Sequence, residues 1–339
     1  MKITYVTEDT ELWGGIGVIF QHLELLSEIG HTVFLTTPAG RPDWYPLNVP
    51  LHSIERLAPA LIPSADVIVA TSWRTIEPVV QSGKGKAVHF CQGYEAANKE
   101  YLSIKSSIDA AYSNDIPRLT ISPHVDTILR ERFHAETHYV GQMINREIFY
   151  PNKPLHQDNA DLFTVLVAGP FEADVKNIRT TLKGISLAKS KHRIKVIRVS
   201  QLPLSEEERD IMEPDEYLLR VPFRMMGAIY RRADLLISMS KEAEGFGLPA
   251  LEAMACGVPV VLSRISSYTS FDEHRDYALF TDSEPEAVSS AISSLFLDSS
   301  LRRRLVQRGL IVAGQFTKGK VADRLETAFK KILTPTCAH

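Results

Sequence analysis

The sequence predicts an α/β protein made of two doubly wound, Rossmann-like domains, and three observations support this prediction. The chain has 339 residues, enough for about two domains with separate hydrophobic cores. Short apolar runs alternate with segments of helical periodicity, which is the pattern of parallel sheets flanked by helices. Residues 2–37 read as a strand, a glycine-bearing turn, a helix and a second strand, the opening βαβ unit of such folds.

The first domain is expected over residues 1–151. Its strands are short apolar runs, and its helices repeat apolar residues on one face. Strands are predicted at 2–7, 31–37, 66–71, 86–91, 118–122 and 137–140, and helices at 18–30, 95–101 and 125–133. Because ligands lie beyond the carboxyl ends of parallel strands, we expect functional residues in the loops that follow the third and fourth strands.

The second domain is expected over residues 162–315, after a polar, proline-bearing linker at 152–161 that lacks periodicity. Strands are predicted at 162–168, 193–200, 234–240 and 258–262 with a short strand within 272–282, and helices at 178–188, 206–212, 226–233, 248–255, 284–297 and 300–313. The helix at 206–212 is charged and is interpreted as a surface helix. A last helix at 316–333 and a short tail at 334–339 complete the chain.

The composition is that of a globular protein and argues against several functional classes of protein. Hydrophobic residues make up 44% and charged residues 23% of the chain, the net charge is -3, and the pI is about 6.4. A nucleic-acid-binding protein would show a basic surplus instead. The three cysteines, Cys91, Cys256 and Cys337, lie far apart, which favours reduced thiols in a cytoplasmic protein over disulfides or a zinc site. No signal-peptide pattern and no apolar run of membrane-spanning length is found.

The most informative stretch is E-G-F-G-L-P-A-L-E-A-M-A-C-G-V-P-V-V at residues 244–261. Gly245 and Gly247 allow the backbone to approach a ligand closely. Leu248 and Pro249 open a helix, because proline is tolerated in the first turn. The amides of residues 246–248 and 250, together with the positive end of the helix dipole, therefore predict an anion site.

Two carboxylates frame this loop. Glu244 precedes it, and Glu252 lies one turn into the helix, with seven residues between them. Either carboxylate alone could serve structure only, since acidic residues near a helix start complement the dipole. As a pair beside an anion site, they suit hydroxyl groups, whose hydrogen bonds they accept. The arrangement thus fits a ligand with a diphosphate in the middle and polyols at both ends, which describes a nucleotide sugar.

The joint pattern resembles the E-x7-E signature of glycosyltransferase family 4, and the match is nearly unbroken over these eighteen residues. The resemblance implies the GT-B fold, in which two Rossmann-like domains face each other across a cleft. It implies an acceptor side in the first domain, a nucleotide-sugar side in the second, and a last helix that returns to the first. It also implies transfer with retention at the anomeric carbon, with a nucleotide-diphosphate sugar as donor and no metal or other cofactor.

The same resemblance implies roles for particular residues. Glu244 orients hydroxyls of the sugar, Glu252 holds the ribose diol, and Lys176 neutralises the leaving diphosphate. The helix amides assist Lys176 in this. The diphosphate-binding loop comprises Gly245, Phe246, Gly247 and Leu248.

Further contacts follow from the same resemblance. Gly14 and Gly15 belong to a glycine loop that closes over the donor phosphates and the acceptor, and Val221 presents backbone to the base. Gln92, at the end of a strand, is the candidate on the acceptor side. His89 falls inside that strand and is interpreted as structural. Gln92-Gly-Tyr94-Glu95 also resembles a subset that builds rhamnose-containing bacterial surface polysaccharides, although Glu95 could equally begin a helix.

The sequence departs from the family pattern at two places. Pro170 stands where an arginine is expected, and Arg179 on the following helix is a candidate replacement. In the crossover loop at 141–151, Gln142 and Met143 replace an Asn-Gly pair. Losing a cation from a phosphate clamp removes electrostatic stabilisation of the leaving group.

Three functional classes therefore remain open from the sequence. The first is a glycosyltransferase that acts on a growing bacterial surface glycan, a lipid-linked glycan or a small-molecule acceptor, in the cytoplasm and with possible peripheral contact at the inner face of the membrane. The second is a non-hydrolysing nucleotide-sugar epimerase, which shares the fold. The third is a non-catalytic nucleotide-sugar-binding relative, which the departure at Pro170 favours.

Overall fold

A computed structural model describes residues 1–152 and 162–334. The chain forms two compact units, one made of Met1–Met143 with the segment from Thr317 onward, the other of Ile144–Phe316. The change of unit after Met143 comes earlier than the boundary expected at 151. The predicted linker at 152–161 and tail at 334–339 lie, except for their first residues, outside the described residues.

Each unit contains one sheet, and every strand pairing recorded in it is parallel. The first sheet has the order β3-β2-β1-β4-β5-β6-β7 and the second the order β10-β9-β8-β11-β12-β13. The strands are β1 (Lys2–Val6), β2 (Thr32–Thr37), β3 (Leu51–Ser53), β4 (Val67–Ala70), β5 (Lys86–Cys91), β6 (Arg118–Thr120), β7 (Thr137–Tyr139), β8 (Phe163–Ala168), β9 (Ile194–Ser200), β10 (Glu216–Leu219), β11 (Leu235–Ser238), β12 (Val260–Ser263) and β13 (Leu279–Thr281).

Helices connect these strands, as parallel pairing requires. They are α1 (Gly14–Glu28), α2 (Trp73–Ser82), α3 (Lys105–Tyr112), α4 (Pro123–Phe133), α5 (Ile178–Lys189), α6 (Glu206–Ile211), α7 (Phe223–Tyr230), α8 (Leu248–Ala255), α9 (Ser266–Thr269), α10 (Pro285–Leu297), α11 (Ser299–Ala313) and α12 (Lys318–Leu333). The last helix, α12, packs on α1 and β7 within the first unit. Among the described residues, no helix is long and apolar enough to span a bilayer.

The order of strands reverses once in each sheet. In the first sheet the chain moves outward from β1 to β3, then returns to the other side of β1 with β4. In the second sheet it moves from β8 to β10, then returns beside β8 with β11. Because the loops after two such neighbouring strands diverge to opposite faces, a crevice opens at their carboxyl ends, and this is where open α/β sheets bind ligands.

Buried apolar strands form the core of each unit. In the second unit, Val165, Val196, Leu235 and Val261 are each completely shielded from solvent, and α5 and α10 cover one face of their sheet. Such continuous apolar strands are typical of parallel sheets covered on both faces. The strands therefore hold the loops at their carboxyl ends on a rigid base.

Several elements differ from the sequence prediction. Helix α1 begins at Gly14 rather than at 18, so the expected glycine loop is the first helical turn. The helix expected at 95–101 is replaced by two short 3-10 turns, Glu95–Ala97 and Lys99–Ile104, and α3 follows them. The sequence prediction also lacks β3, α2, α3, β10 and α9. These are short, and α2 carries a proline in its interior, Pro78, which weakens the local helix pattern.

Candidate functional site

The loop between β11 and α8 is shaped by Gly247. This residue precedes α8 with φ +89°, a left-handed conformation that glycine adopts without steric cost. A Cβ atom at this position would lie 2.1 Å from Cε1 of Tyr268. The aromatic ring thus occupies the space that any larger residue at 247 would need, so glycine is required at this position.

Three successive amides lead into α8. Within the described part of the chain, the N–H groups of Phe246, Gly247 and Leu248 donate no recorded hydrogen bond. The amide of Ala250 differs from the prediction, because it donates to the carbonyl of Gly247 at 3.1 Å. The expected anion site therefore has the amides of 246–248 as donors, and that of 250 closes the first helical turn instead. The Phe246 side chain is buried against Phe271 and anchors the loop.

Lys176 and Glu244 lie in direct contact. The ammonium group of Lys176 donates to Oε2 of Glu244 at 2.6 Å, and both side chains are largely buried. Lys176 ends a 3-10 turn in the loop after β8, and Glu244 lies in the loop after β11. Since β8 and β11 are neighbours at the point where the strand order reverses, residues 68 positions apart in the sequence meet at this crevice.

Gly169 shapes the loop that carries Lys176. Its φ of +122° is disfavoured for residues with a side chain, and a Cβ there would lie 3.3 Å from Cγ of Lys176. The carbonyl of Gly169 accepts a hydrogen bond at 3.0 Å from Arg198, which is completely buried. The path of the loop beneath Lys176 is therefore set by a glycine and by a buried guanidinium.

A polar network beneath Glu244 was not predicted from the sequence. The hydroxyl of Ser240 donates to Oε2 of Glu244 at 3.0 Å, and the hydroxyl of Tyr268 donates to Ser240 at 2.9 Å. Tyr268 also contacts the hydroxyl of Ser238 at 2.5 Å, and burial raises its pKa. Glu244 is thus held from below by a buried hydroxyl chain. No sequence pattern indicated this chain, because Tyr268 lies between the predicted strands at 258–262 and within 272–282, where no element was predicted.

Glu252 points into the interior beside Tyr230. The phenol of Tyr230 donates to Oε2 of Glu252 at 2.8 Å, and Tyr230 is completely buried. Burial raises the pKa of the Glu252 carboxyl to about 7, and the hydrogen bond from Tyr230 opposes the rise. A carboxyl group is seldom buried unless a partner or a ligand compensates for the lost water. Tyr230 is the second residue that the sequence prediction missed, since it lies on α7, 22 residues away.

The predicted replacement cation is engaged elsewhere. The guanidinium of Arg179 forms an ion pair with Glu207 on α6, and its Cζ lies 5.0 Å from the ring centroid of Phe171. Arg179 is therefore not brought to the Lys176–Glu244 pair. Val221 is half-buried and lies between β10 and α7, directly after Arg220, which adopts a left-handed φ of +51°.

The remaining predicted residues lie in the first unit. Gln92 follows β5, and its side-chain amide donates to the carbonyl of Gly15 at 3.0 Å. A Cβ at Gly15 would lie 3.3 Å from Oε1 of Gln92, whereas nothing lies within 4 Å of a Cβ built at Gly14. The structure thus brings Gln92 to the first turn of α1, which a glycine leaves open.

Glu95 and His89 contact side chains within the first unit. The Glu95 carboxylate accepts hydrogen bonds from the phenol of Tyr112 and from the amide of Trp73, and burial raises its pKa. His89 is buried within β5, edge-on to the ring of Tyr112, and burial lowers its pKa well below the ordinary value. The interpretation of His89 as a residue inside the strand agrees with this placement. Across residues 1–152 and 162–334, no three His, Cys, Asp or Glu side chains are grouped as metal ligands.

Part of the second unit matches a known protein family. Residues 207–312 match the family described as Glycosyl transferases group 1, a range that includes Glu244 and Glu252 but not Lys176. The O-antigen chain mannosyltransferase B of Escherichia coli is 36% identical over 115 residues, which are 34% of this chain and 29% of that protein. The matched stretches span about a quarter to a third of the length of the first curated relatives.

Solved structures resemble nearly the whole chain. Sucrose-phosphate synthase from Thermosynechococcus elongatus is similar with a TM-score of 0.77 at 18% identity, over 97% of this chain and 98% of the other. Anabaena HepE in complex with UDP-glucose is similar with a TM-score of 0.77 at 13% identity, over 98% of this chain and all of the other. The fold is GT-B. In this GT-B protein, the Lys176–Glu244 pair and Glu252 belong to the second unit.

Proposed function

We propose that this protein is a retaining glycosyltransferase that moves a sugar from a nucleoside-diphosphate sugar to a hydroxyl group of an acceptor. The observation that carries the proposal is the ion pair of Lys176 with Glu244 at the β8–β11 crevice, beside the open amides that lead into α8. Cationic and amide donors suit a diphosphate, and the neighbouring carboxylates suit hydroxyls. The match of residues 207–312 to a sugar-transferring family supports the same conclusion.

The donor is held by complementary groups. Lys176 has three N–H donors, so it can keep one hydrogen bond to Glu244 while it donates others to phosphate oxygens. The backbone N–H groups of residues 246–248 donate hydrogen bonds to the same diphosphate. Glu252, fixed through one oxygen by Tyr230, accepts from the ribose diol with the other. Glu244, held by Ser240, accepts from hydroxyls of the sugar.

The reaction follows from this placement. As the bond between the anomeric carbon and the diphosphate breaks, negative charge develops on the departing phosphate oxygen, which Lys176 and the amides stabilise. The acceptor hydroxyl attacks the anomeric carbon from the same face, and its proton passes to that phosphate oxygen. The products are the glycosylated acceptor and the protonated nucleoside diphosphate. No covalent intermediate forms on the enzyme, and the configuration at the anomeric carbon is retained.

Further residues of each unit are assigned roles in the proposal. Gln92, Gly14 and Gly15 would contact the acceptor in the first unit, and the backbone at Val221 would contact the nucleotide base in the second. Arg179 would have to leave Glu207 to reach a phosphate, so Lys176 and the amides of 246–248 are assigned the whole stabilisation of the leaving diphosphate.

We place the reaction in the cytoplasm, with a bacterial surface glycan as acceptor. The O-antigen chain mannosyltransferase among the relatives supports this acceptor class.

A nucleotide panel tests the proposal. Thermal-shift measurements with UDP, GDP, dTDP and ADP compounds identify the base, and the corresponding nucleotide sugar is then incubated with and without acceptors. A transferase leaves the donor intact or hydrolyses it slowly until an acceptor is added, and NMR of the product shows the donor's anomeric configuration. Conversion of the sugar itself without acceptor would indicate an epimerase, and tight binding without turnover a non-catalytic relative; either result contradicts the proposal.

A single substitution tests the assignment of Glu252. Glu252→Ala should weaken binding of the selected nucleotide sugar at least tenfold, because the ribose diol loses its acceptor. The free energy of unfolding is measured in parallel, since the buried carboxyl also contacts Tyr230. Unchanged nucleotide affinity in a folded variant would remove Glu252 from the site.

A further inference from the structure

A cavity in the first unit lies between the edge strand β7 and the last helix, and none of its lining residues belongs to the candidate site described above. Its volume is about 340 Å³, and its lining includes Thr137, His138 and Tyr139 from β7 with Arg324, Thr327 and Lys331 from α12. Small-molecule sites in proteins have volumes of roughly 300–1,000 Å³, so this one is large enough for a compact ligand. All of its lining belongs to one unit.

Two cations reach this cavity from one face of α12. Arg324 and Lys331 are seven residues apart, which places them two turns apart on the same side of the helix. Within the described chain, neither side chain takes part in a recorded ion pair. A cationic pair without a carboxylate partner at a concave site attracts anions.

The guanidinium of Arg324 is already held in position. Its Cζ lies 4.5 Å from the ring centroid of Tyr139, a cation–π contact. Nη1 lies 3.0 Å from where a Cβ at Gly141 would be, so the absence of a side chain at 141 makes room for it. A planar guanidinium that is fixed before a ligand arrives suits two-point recognition of a phosphate.

A buried hydroxyl provides a third polar group. Thr137 is 8% exposed, and its Oγ1 has no recorded hydrogen-bond partner although it is completely shielded. Such an unpaired buried group is rare in folded proteins and calls for a specific explanation. Because Thr137 lines the cavity, rotation of its side chain would bring Oγ1 to a bound oxygen-rich ligand, which would supply the missing partner.

The acidic groups near the cavity indicate which kind of anionic ligand the cavity fits. His138 is paired with Glu136 at 2.8 Å, and the carboxylate of Asp323 also lines the cavity. One carboxylate against two cations leaves the site positive overall, while Asp323 and Thr327 are suited to accept hydrogen bonds from ligand hydroxyls. An anion without hydroxyl groups would contact the two cations but leave Asp323 and Thr327 without a partner from the ligand.

We propose that this cavity is a binding site for a phosphate monoester that carries hydroxyl groups. Arg324 and Lys331 bind the phosphate, Thr137 donates to one of its oxygens, and Asp323 with Thr327 contacts the hydroxyls. The proposal does not depend on the glycosyltransferase assignment, since its residues are separate from those of the β8–β11 crevice. The phosphate could belong to a free metabolite or to a lipid headgroup, because both present the same chemistry.

Binding to the full chain tests the site. Titration with glycerol phosphate, inorganic phosphate and neutral glycerol, followed by calorimetry, should show affinity in that order. Arg324→Gln should weaken glycerol phosphate binding at least tenfold and Lys331→Gln several-fold. Lys320→Gln, an exposed lysine on the same helix outside the cavity, is the matched control and should bind as the wild type does. Lys176→Gln should also retain the binding, which separates this site from the proposed donor site.

A second variant distinguishes binding from folding. Thr137→Val removes the unpaired buried hydroxyl at nearly constant volume, so it should raise the melting temperature of the free protein and yet weaken glycerol phosphate binding. Cosedimentation of the protein with vesicles that contain phosphatidic acid shows that the phosphate belongs to a lipid headgroup, provided that Arg324→Gln abolishes the cosedimentation. The proposal is overturned if both cation variants bind glycerol phosphate normally, or if Lys176→Gln alone eliminates all binding.

Discussion

Individual side chains at the candidate site are held by buried hydroxyl groups. Glu244 receives a hydrogen bond from Ser240, which Tyr268 supports, and Glu252 receives one from Tyr230. A carboxylate whose position is fixed before the ligand binds loses less entropy on binding. We therefore predict that removing the Tyr268 hydroxyl, which Ser240 and Glu244 separate from the proposed sugar, will affect transfer.

Tyr268→Phe tests this positioning. The ring still fills the space beside Gly247, but Ser240 and Ser238 lose a hydrogen-bond partner in a buried site. The loss of one such contact is worth about 1–2 kcal/mol, so kcat/KM for sugar transfer should fall about five- to thirtyfold. Tyr217→Phe, which removes a hydroxyl bonded to the carbonyl of Leu202 elsewhere in the second unit, is the control. Equal activity of both variants would exclude a positioning role for Tyr268.

The raised pKa of Glu252 predicts a pH dependence of stability. The carboxyl keeps its proton up to about pH 7 in the folded chain, but in the unfolded chain it releases the proton near the ordinary glutamate pKa of 4.5. The folded state therefore binds more protons between these values, and the free energy of unfolding falls as the pH rises through this interval, by about 3 kcal/mol in total. Above about pH 7 this contribution no longer changes.

Urea unfolding of the wild type and of Glu252→Gln at pH 5 and pH 8 measures this effect. Glutamine is neutral at both values, so it lacks the cost of a buried charge. The variant should therefore gain about 2.5 kcal/mol relative to the wild type between pH 5 and pH 8, since part of the effect is already lost below pH 5. A stability difference that is the same at both pH values would contradict the raised pKa.

At the scale of elements, α6 is anchored by a buried ion pair. Glu208 accepts from Nε of Arg198 at 2.6 Å, and both side chains are almost completely shielded. Arg198 also donates to the carbonyls of Val167, Val199 and Gly169, so it links the ends of β8 and β9 to the loop that carries Lys176. The helix lies at the surface as predicted, but its Glu208 side chain is buried, which the sequence alone did not indicate.

Two neighbouring glutamates on α6 allow a matched comparison. Glu208→Gln leaves the buried charge of Arg198 uncompensated and should lower the free energy of unfolding by about 3–5 kcal/mol. Glu207→Gln removes a solvent-exposed ion pair with Arg179 and should cost less than about 1 kcal/mol. Urea denaturation of both variants tests this, and equal losses would show that burial does not govern the strength of these pairs.

What the sequence predicted at this scale depended on local patterns. The E-x7-E loop and the start of α8 were predicted because glycine spacing and proline act over a few residues, whereas the ion pair of Lys176 with Glu244 follows from strand order over 68 positions. Tyr230, Tyr268 and Arg198 act through contacts made only in the folded chain, so no short motif identifies them. Arg179 illustrates the converse, because its proximity in sequence to Lys176 did not bring it to the crevice.

At the scale of the whole molecule, the two parallel sheets were predictable from the sequence, and the roles of the site residues stay predictions. The alternation of apolar runs and amphipathic segments specifies doubly wound sheets, and the structure contains one of seven and one of six strands. The sequence prediction missed β3 and β10, the edge strands at one end of each sheet, since they are short and partly exposed. The GT-B fold and the β8–β11 crevice then give the glycosyltransferase proposal its physical basis.

Hydrogen exchange with and without the nucleotide sugar selected from the panel measures whether the diphosphate binds at the β8–β11 crevice. We predict slower exchange in peptides that cover 169–177 and 244–252, with the amides of Phe246, Gly247 and Leu248 protected most, because they are proposed to donate to the diphosphate. Lys176→Gln should reduce both affinity and this protection. Tight nucleotide-sugar binding that leaves these two peptides unprotected would show that the donor binds elsewhere.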